Sequence, residues 1–107
     1  MSELIQCERH EAGLSSLVLQ RPERRNALSI ALLDGLCALL TELSRESAQR
    51  VVILRGAGPV FCAGLDLREA ADEALLERSA SAVERALHVV RSSPLVTIAA
   101  VHGGASG

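Results

Sequence analysis

Two continuous apolar runs, each followed by a glycine-containing turn, constrain the fold of this chain more than any other feature. The first run is residues 51–54 (VVIL) and the second is residues 95–101 (LVTIAAV). Short β-branched runs without polar alternation are typical of strands that are buried on both faces, as in a parallel sheet. We therefore predict a layered α/β fold in which these two runs are consecutive parallel strands.

Shorter patterns predict the elements that precede the first run. Residues 4–10 and 14–19 indicate a β-hairpin with Gly13 at its turn. Ser29 is a suitable N-cap for an amphipathic helix over about residues 30–44, because leucines recur there at helical spacing. The first half is therefore predicted to be β-β-α.

The region between the two apolar runs predicts a second helical segment. Asp66 and Glu69 are spaced as a helix N-cap and its reciprocal capping-box partner. The helix is expected to continue along an apolar stripe and to stop before Ser92. The members of the stripe are Leu76, Ser79, Val83, Ala86, Leu87 and Val90. The polar, proline-containing segment 21–26 is expected to be an exposed loop before the first helix.

The turn at residues 59–68 (PVFCAGLDLR) is the first candidate ligand site. Glycine lets the backbone approach a ligand closely, and the start of a helix adds partial positive charge, so an oxyanion or a phosphate suits this turn. A second glycine-rich turn follows the other apolar run. Both turns then lie at the carboxyl ends of parallel strands, the edge where open α/β sheets bind ligands.

Composition excludes several classes of partner and cofactor. A formal net charge of −2, no tryptophan or tyrosine and one phenylalanine disfavour nucleic acid and anionic membranes. No P-loop, dinucleotide fingerprint or metal-ligand cluster occurs, so no metal site is expected. The three cysteines, an odd number without C-x-x-C spacing, favour reduced thiols and a cytoplasmic location. Neither a secretory signal nor a membrane span is recognisable.

Three segments together resemble the enoyl-CoA hydratase/isomerase family, also called the crotonase family. They are residues 21–28 (RPERRNAL), 61–67 (FCAGLDL) and 101–107 (VHGGASG), and their order and spacing are more specific than any one of them. The resemblance covers nearly all 107 residues. It implies a crotonase-like spiral of ββα units, of which residues 1–107 would be the N-terminal part of a single domain.

The resemblance also implies a site for an acyl-CoA thioester. Leu65 would supply a backbone N–H to an oxyanion hole, and the second donor would follow Gly107. Arg25 and Arg68 would face the phosphates of coenzyme A, because guanidinium suits phosphate in charge and geometry. Ala27 and Ala63 would lie along the nucleotide and pantetheine. The remaining expected substrate contacts are Leu28, Gly64, Asp66, Leu67 and Gly103.

The function implied is hydration of a 2-enoyl thioester or migration of its double bond, both through an enolate-like state. No separate cofactor is expected, since coenzyme A is part of the substrate. Family members assemble as trimers or hexamers, and a second chain carrying the C-terminal half is a further expected partner. An alternative function is that of a non-catalytic acyl-CoA-binding or assembly fragment. In either case residues 1–107 alone are expected to lack hydratase activity.

Individual residues leave other interpretations open. Ser106 would belong to a serine-hydrolase nucleophile elbow if glycine followed Gly107. Cys62 would be a nucleophile if His102 activated it, although a buried structural thiol and a backbone-bonded histidine are the commoner states. Asp66 is interpreted as a helix cap in preference to a catalytic acid.

Overall fold

The computed structural model describes residues 4–62 and 64–103, and within them four strands form one sheet in chain order. The strands are β1 (Ile5–Arg9), β2 (Leu14–Leu19), β3 (Val51–Gly56) and β4 (Val96–Ala99). β1 is antiparallel to β2, whereas β2, β3 and β4 are mutually parallel. The predicted hairpin and the predicted parallel pairing of the two apolar runs are both confirmed.

The hairpin turn depends on Gly13. A 3₁₀ turn over Glu11–Gly13 joins β1 to β2, and Gly13 has a φ of +77°. A Cβ at this position would also collide with the Ala48 carbonyl oxygen. Glycine is therefore required by both the backbone conformation and the close approach.

Helix α1 (Ile30–Ser44) has the predicted bounds and the predicted cap. The Ser29 hydroxyl accepts a hydrogen bond from Leu32 N at 3.1 Å, which satisfies one free donor of the first turn. Its buried face consists of Leu32, Leu33, Leu36, Leu40 and Leu43. Most of this face packs into an aliphatic core with Leu17, Leu19 and Val52 of the sheet. Complete burial stabilises the fold by about 1.5–3 kcal/mol for each leucine.

The second helical segment is two helices, α2 (Leu67–Ala71) and α3 (Glu73–Ser92). The break is at Asp72, whose extended backbone lets its side chain accept a hydrogen bond from Ala74 N at 2.9 Å and cap α3. α3 ends at Ser92, so the prediction that the helix stops before Ser92 was one residue too early. A second N-capping aspartate explains why one continuous helix was the wrong expectation.

The predicted stripe of α3 was also partly wrong. Ala82 is completely buried, whereas Leu76 and Leu87 remain 52% and 53% exposed. The helix packs against Leu33 of α1 through small side chains, since Ala82 and Ala86 share a cluster with that leucine. Small residues allow two helices to approach closely, so the centre of the interface is shifted away from the largest apolar side chains.

The expectation that β3 and β4 are buried on both faces is not met in the described structure. In β3 only Val52 and Gly56 are buried. In β4, Val96 and Ile98 are 59% and 49% exposed. Within the described ranges β4 is the last strand on its side of the sheet, so its apolar run lacks the covering layers that such a pattern normally indicates. No helix in this part of the chain is both long and apolar enough to cross a membrane.

Candidate functional site

Two segments distant in sequence, the loop before α1 and the turn before α2, together form a cavity of about 320 Å³. Its lining residues are Arg24, Arg25, Ala27, Leu65, Asp66, Leu67 and Arg68. Three guanidinium groups and one carboxylate give the lining an excess of positive charge. A cavity of this composition is suited to an anionic ligand with phosphate or carboxylate groups.

The two segments are joined by a parallel β-bridge between Leu28 and Leu65. Leu28 N donates to the Gly64 carbonyl at 2.7 Å, and Asp66 N donates to the Leu28 carbonyl at 3.2 Å. In a parallel pairing of this kind the N–H of the central residue points away from its partner. Among the contacts of residues 4–62 and 64–103, the Leu65 N–H donates no hydrogen bond. It is a free donor on a residue that lines the cavity.

The bend that carries Leu65 requires glycine. Gly64 has a φ of +91°, a conformation that residues with a Cβ rarely adopt. It is buried, and its N–H donates to the Cys62 sulfur at 3.4 Å. The turn is therefore fixed by backbone geometry and by one local hydrogen bond to a buried thiol.

Asp66 caps α2, which confirms its interpretation as a helix cap. Oδ1 accepts hydrogen bonds from Arg68 N at 3.0 Å and Glu69 N at 3.4 Å, and Oδ2 accepts one from Arg21 Nη2 at 3.1 Å. Burial raises the pKa of Asp66, but the hydrogen bonds from Arg21 and the two backbone amides, with the Arg21 charge, outweigh burial and lower that pKa. The carboxylate stays ionised, and both of its oxygens already accept hydrogen bonds.

Glu69 does not complete the predicted reciprocal capping box. The box would pair its side chain with Asp66 N, but that N–H donates to the Leu28 carbonyl. Glu69 Oε1 instead accepts a hydrogen bond from Ile30 N at 2.8 Å. The side chain thus satisfies a free donor at the start of α1 and links the first turns of two helices.

The segment 21–26 is not the uniformly exposed loop that was expected. Its four middle residues are exposed, but Asn26 is completely buried. Asn26 Nδ2 lies 2.9–3.1 Å from the carbonyl oxygens of Ala57, Val60 and Phe61, and Oδ1 accepts a hydrogen bond from Arg21 N at 2.8 Å. Asparagine also tolerates its left-handed φ of +55°. The burial arises because this one amide satisfies several inward-facing backbone groups.

Arg21 spans the two segments. Its Nη1 donates to the Ala27 carbonyl at 2.9 Å, and its Nη2 donates to Asp66 Oδ2 at 3.1 Å. The side chains of this ion pair are 14% and 11% exposed, whereas every other ion pair among the described residues is considerably more exposed. The guanidinium therefore joins the loop to the turn through a largely buried pair of hydrogen bonds.

Several expected substrate contacts lie elsewhere. The Leu28 side chain lines a second, apolar cavity of about 320 Å³ beside Phe61 and Cys62. Gly103 has a φ of +64° and lies against the Pro59 carbonyl, outside the arginine-lined cavity. Ala63, Ser106 and Gly107 lie outside the described residues. The structure thus brings together Arg25, Ala27, Leu65, Asp66, Leu67 and Arg68, joined through the backbone of Leu28 and Gly64.

His102 has the structural role that was considered the commoner one. Its Nε2 is 2.9 Å from the Gly58 carbonyl, and because a carbonyl only accepts, this nitrogen carries the proton. The His102 carbonyl accepts from Phe61 N at 3.0 Å. The hydrogen bond of the Cys62 sulfur recorded in the described structure is with Gly64 N, and not with the imidazole. In the same ranges no three His, Cys, Asp or Glu side chains are grouped to hold a metal ion.

The sequence did not reveal how three residues build the site: Arg21 and Asn26 were assigned no role, and Glu69 was assigned to a capping box that it does not form. Asn26 had a usable signal, because asparagine is the common non-glycine residue in the left-handed region and Ser29 marks a helix start just after it. Arg21 had none, since nothing in the run RPERR distinguishes the arginine that turns inward from those that stay exposed.

The chain is similar to proteins of a known family. The sequence model of the family described as enoyl-CoA hydratase/isomerase matches residues 9–107. The chain is 36% identical over 97 residues to an enoyl-CoA hydratase of Alternaria alternata, covering 91% of this chain and 32% of that protein. It is 38% identical over 105 residues to an enoyl-CoA isomerase/hydratase of Mycosarcoma maydis, covering 89% of this chain and 38% of that protein.

A solved structure has the same fold. The enoyl-CoA hydratase of Bacillus anthracis superposes with a TM-score of 0.87 at 36% identity, covering 94% of this chain and 40% of that chain. The predicted crotonase-like α/β fold is thereby confirmed. The chain spans about a third of the length of the curated relatives named above. On the family match over residues 9–107, the chain belongs to the enoyl-CoA hydratase/isomerase family.

Proposed function

We propose that the arginine-lined cavity binds the coenzyme A portion of an acyl-CoA and that Leu65 N–H donates a hydrogen bond to the thioester oxygen. The observation that carries the proposal is the free N–H of Leu65, on a residue that lines a cavity with three arginines. A thioester carbonyl and the phosphates of coenzyme A are the two groups that such a pair of features would recognise.

The chemistry that this donor supports is stabilisation of an enolate. When a proton is added or removed next to a thioester carbonyl, negative charge develops on the oxygen, and a fixed backbone N–H stabilises that charge more than it stabilises the ground state. Removing one such donor typically costs about 3–4 kcal/mol of transition-state stabilisation. The β-bridge with Leu28 and the positive φ of Gly64 set the orientation of this donor in the described structure.

For the whole protein we propose hydration or isomerisation of a 2-enoyl-CoA thioester. The names of the relatives support this, since they are an enoyl-CoA hydratase and an enoyl-CoA isomerase/hydratase. The second donor and the carboxylates that transfer protons would come from outside residues 4–103. No separate cofactor is included in the proposal. Assembly as a trimer or hexamer is included on the family resemblance alone. A cytoplasmic location is included because the number and spacing of the three cysteines favour reduced thiols.

The test uses two ligands that differ only in the group next to the sulfur atom. Butyryl-CoA carries the thioester carbonyl, whereas the thioether S-butyl-CoA has a methylene in its place. With the chain labelled with ¹⁵N-leucine, we expect butyryl-CoA to move the Leu65 amide proton downfield and S-butyl-CoA to leave it nearly unchanged. Equal shifts with both ligands would contradict a hydrogen bond from Leu65 N–H to the carbonyl oxygen.

The arginines are tested by affinity for free coenzyme A. Arg25→Gln and Arg68→Gln should each weaken binding by about tenfold, the typical effect of losing a hydrogen bond between charged groups. Arg91→Gln is the matched control, because Arg91 is exposed near the end of α3 and does not line the cavity. An equal loss in the control would mean that net charge, and not the cavity, determines the affinity.

Turnover by this chain tests where the remaining catalytic groups lie, and both the enzymatic proposal and the non-catalytic alternative predict none. The chain of 107 residues should bind butyryl-CoA without hydrating crotonyl-CoA. Hydration of crotonyl-CoA by this chain alone would contradict the proposal that the remaining catalytic groups lie outside it.

A further inference from the structure

We infer that Arg21 is a positioning residue: its guanidinium holds the loop of residues 21–28 and the turn that carries Leu65 at the separation needed for both to contact one ligand. This inference rests on the proposed function of the Leu65 N–H. The sequence alone assigned no role to Arg21. The inferred role differs from that of its neighbours Arg24 and Arg25, which line the cavity.

The first observation is the geometry of the guanidinium. One nitrogen donates to the Ala27 carbonyl at 2.9 Å and another donates to Asp66 Oδ2 at 3.1 Å. Ala27 and Asp66 lie on opposite segments of the cavity, and both line it. The planar fork of arginine fixes the relative position of two acceptors in a way that a single ammonium does not.

The second observation is the difference in exposure among the arginines. The Arg21 side chain is 14% exposed, whereas Arg24, Arg25 and Arg68 are all exposed and line the cavity. Arg21 does not line the cavity, so it acts on the ligand only through the residues that it holds. Asp66 is the shared element, because the same carboxylate caps α2 one residue after Leu65.

Rival explanations of Arg21 make different predictions. If Arg21 contacted coenzyme A directly, its replacement would weaken the binding of free coenzyme A as much as replacement of Arg25 does. If Arg21 only stabilised the fold, its replacement would lower the unfolding temperature but leave the Leu65 response to the thioester unchanged in the folded protein. A positioning residue alters the Leu65 response while the affinity for free coenzyme A is largely retained.

The experiment compares Arg21→Gln with Asp66→Asn, which keeps an N-cap of good propensity but removes the charge. The readout is the ratio of the dissociation constants of S-butyl-CoA and butyryl-CoA, with the Leu65 amide shift recorded in parallel. For the original chain the ratio should be about threefold to tenfold, the value of one hydrogen bond to an uncharged group. Both variants should lower it to about one. Arg21→Gln, at a residue that does not line the cavity, should change the affinity for free coenzyme A by at most about twofold.

The double variant and the control complete the design. If the two residues act as one unit, the losses of unfolding free energy caused by Arg21→Gln and Asp66→Asn should not add in the double variant. Arg55→Gln breaks the exposed ion pair with Glu8 on the strand side and should leave both readouts unchanged. Far-UV circular dichroism selects the variants that are folded, and Asp66→Asn serves as the test if Arg21→Gln does not fold.

Two results overturn the inference, and they are distinguishable. A Leu65 shift and a ligand ratio that persist in folded Arg21→Gln or Asp66→Asn overturn the role of Arg21 while the proposed function stands. Absence of a thioester-specific shift in the original chain overturns the proposed function and, with it, the inference. Loss of the ratio in both folded single variants, with the affinity for free coenzyme A largely retained in Arg21→Gln, supports it.

Discussion

Glu69 of α2 accepts a hydrogen bond at 2.8 Å from the backbone N–H of Ile30, the first residue of α1. The two residues are 39 positions apart, so a side chain from one helix satisfies a terminal donor of another. The same turn of α1 is capped locally by Ser29, whose hydroxyl accepts from Leu32 N. The start of α1 is therefore anchored both by its own cap and by α2, the helix that follows the turn bearing Leu65.

Replacement of Glu69 by alanine should destabilise the fold by about 1 kcal/mol, the typical effect of losing a helix cap. The measurement is the free energy of unfolding in urea. Glu84→Ala is a suitable control, because Glu84 is exposed on α3 and no hydrogen bond or ion pair of its side chain occurs in the described structure. Equal effects of the two changes would show that the Ile30 hydrogen bond contributes nothing measurable.

Replacement of Asn26 by alanine should be among the most destabilising single changes in the chain. It removes the two N–H donors that lie among three part-buried carbonyl oxygens and the acceptor of Arg21 N, and each buried group left unpaired costs about 1–3 kcal/mol. We expect a loss of about 3 kcal/mol or more in urea unfolding. Asn26→Gly loses the same hydrogen bonds but relieves the positive φ, and should be about 1 kcal/mol less destabilising than Asn26→Ala. If Asn26→Gly were as destabilising as Asn26→Ala or more so, the positive φ would contribute nothing to the effect of the alanine variant.

The Arg21–Asp66 pair predicts a specific pH dependence of stability. Because the folded protein lowers the pKa of Asp66, the pair stabilises the fold fully above the ordinary aspartate pKa of about 3.9 and loses this contribution as pH falls through the lower, folded value. The range from about pH 5 to about pH 7 lies above that pKa of about 3.9, so the difference in unfolding free energy between the original chain and Asp66→Asn should be constant there. Below about pH 3.9 the difference should shrink.

Asp34→Asn provides the control for that measurement. Asp34 pairs with Arg85 at 2.7 Å, but both side chains are more than half exposed, and such pairs contribute only about 0–1 kcal/mol. The unfolding free energy of Asp34→Asn should therefore change with pH in nearly the same way as that of the original chain. A difference for Asp66→Asn that stays constant down to the acid transition would rule out the ion pair as its origin.

The three cysteines should differ in their rates of alkylation. Burial raises the pKa of the Cys7 and Cys37 thiols, so at pH 8 less thiolate is present and both should react more slowly than free cysteine. Cys62 is 6% exposed and should be the slowest in the folded chain because the reagent lacks access. Iodoacetamide labelling followed by mass spectrometry measures each site. In urea the three rates should converge, and a fast Cys62 in the folded chain would contradict its burial.

Local signals in the sequence predicted most of the fold. The bounds of α1 followed from Ser29 and the leucine spacing, and the hairpin followed from Gly13, because caps and turns are determined by neighbouring residues. The break at Asp72 was missed, although aspartate before a run of helix formers is itself a cap signal. The centre of the α1–α3 interface was also missed, since close helix packing through Ala82 depends on the partner helix.

The candidate site, like the fold, was predicted only in part from the sequence. The family motifs identified six residues that line one cavity, including Arg25, Leu65 and Arg68. The inward positions of Arg21 and Asn26 were not predictable, because each is determined by acceptors about 31–45 positions away. Polar residues in a loop are by default expected to be solvated, and only the tertiary structure reveals which of them meet buried carbonyl groups.

The link between Arg21 and Asp66 closes a loop of 45 positions that contains all of α1 and β3. Closing a loop of this length costs conformational entropy, which the packing of α1 and β3 within the loop helps to offset. The cavity therefore depends on the folding of elements that do not line it. A ligand at 100 times its dissociation constant would raise the unfolding free energy by about 2.7 kcal/mol, so occupancy of the cavity reports how many copies of the chain have completed folding.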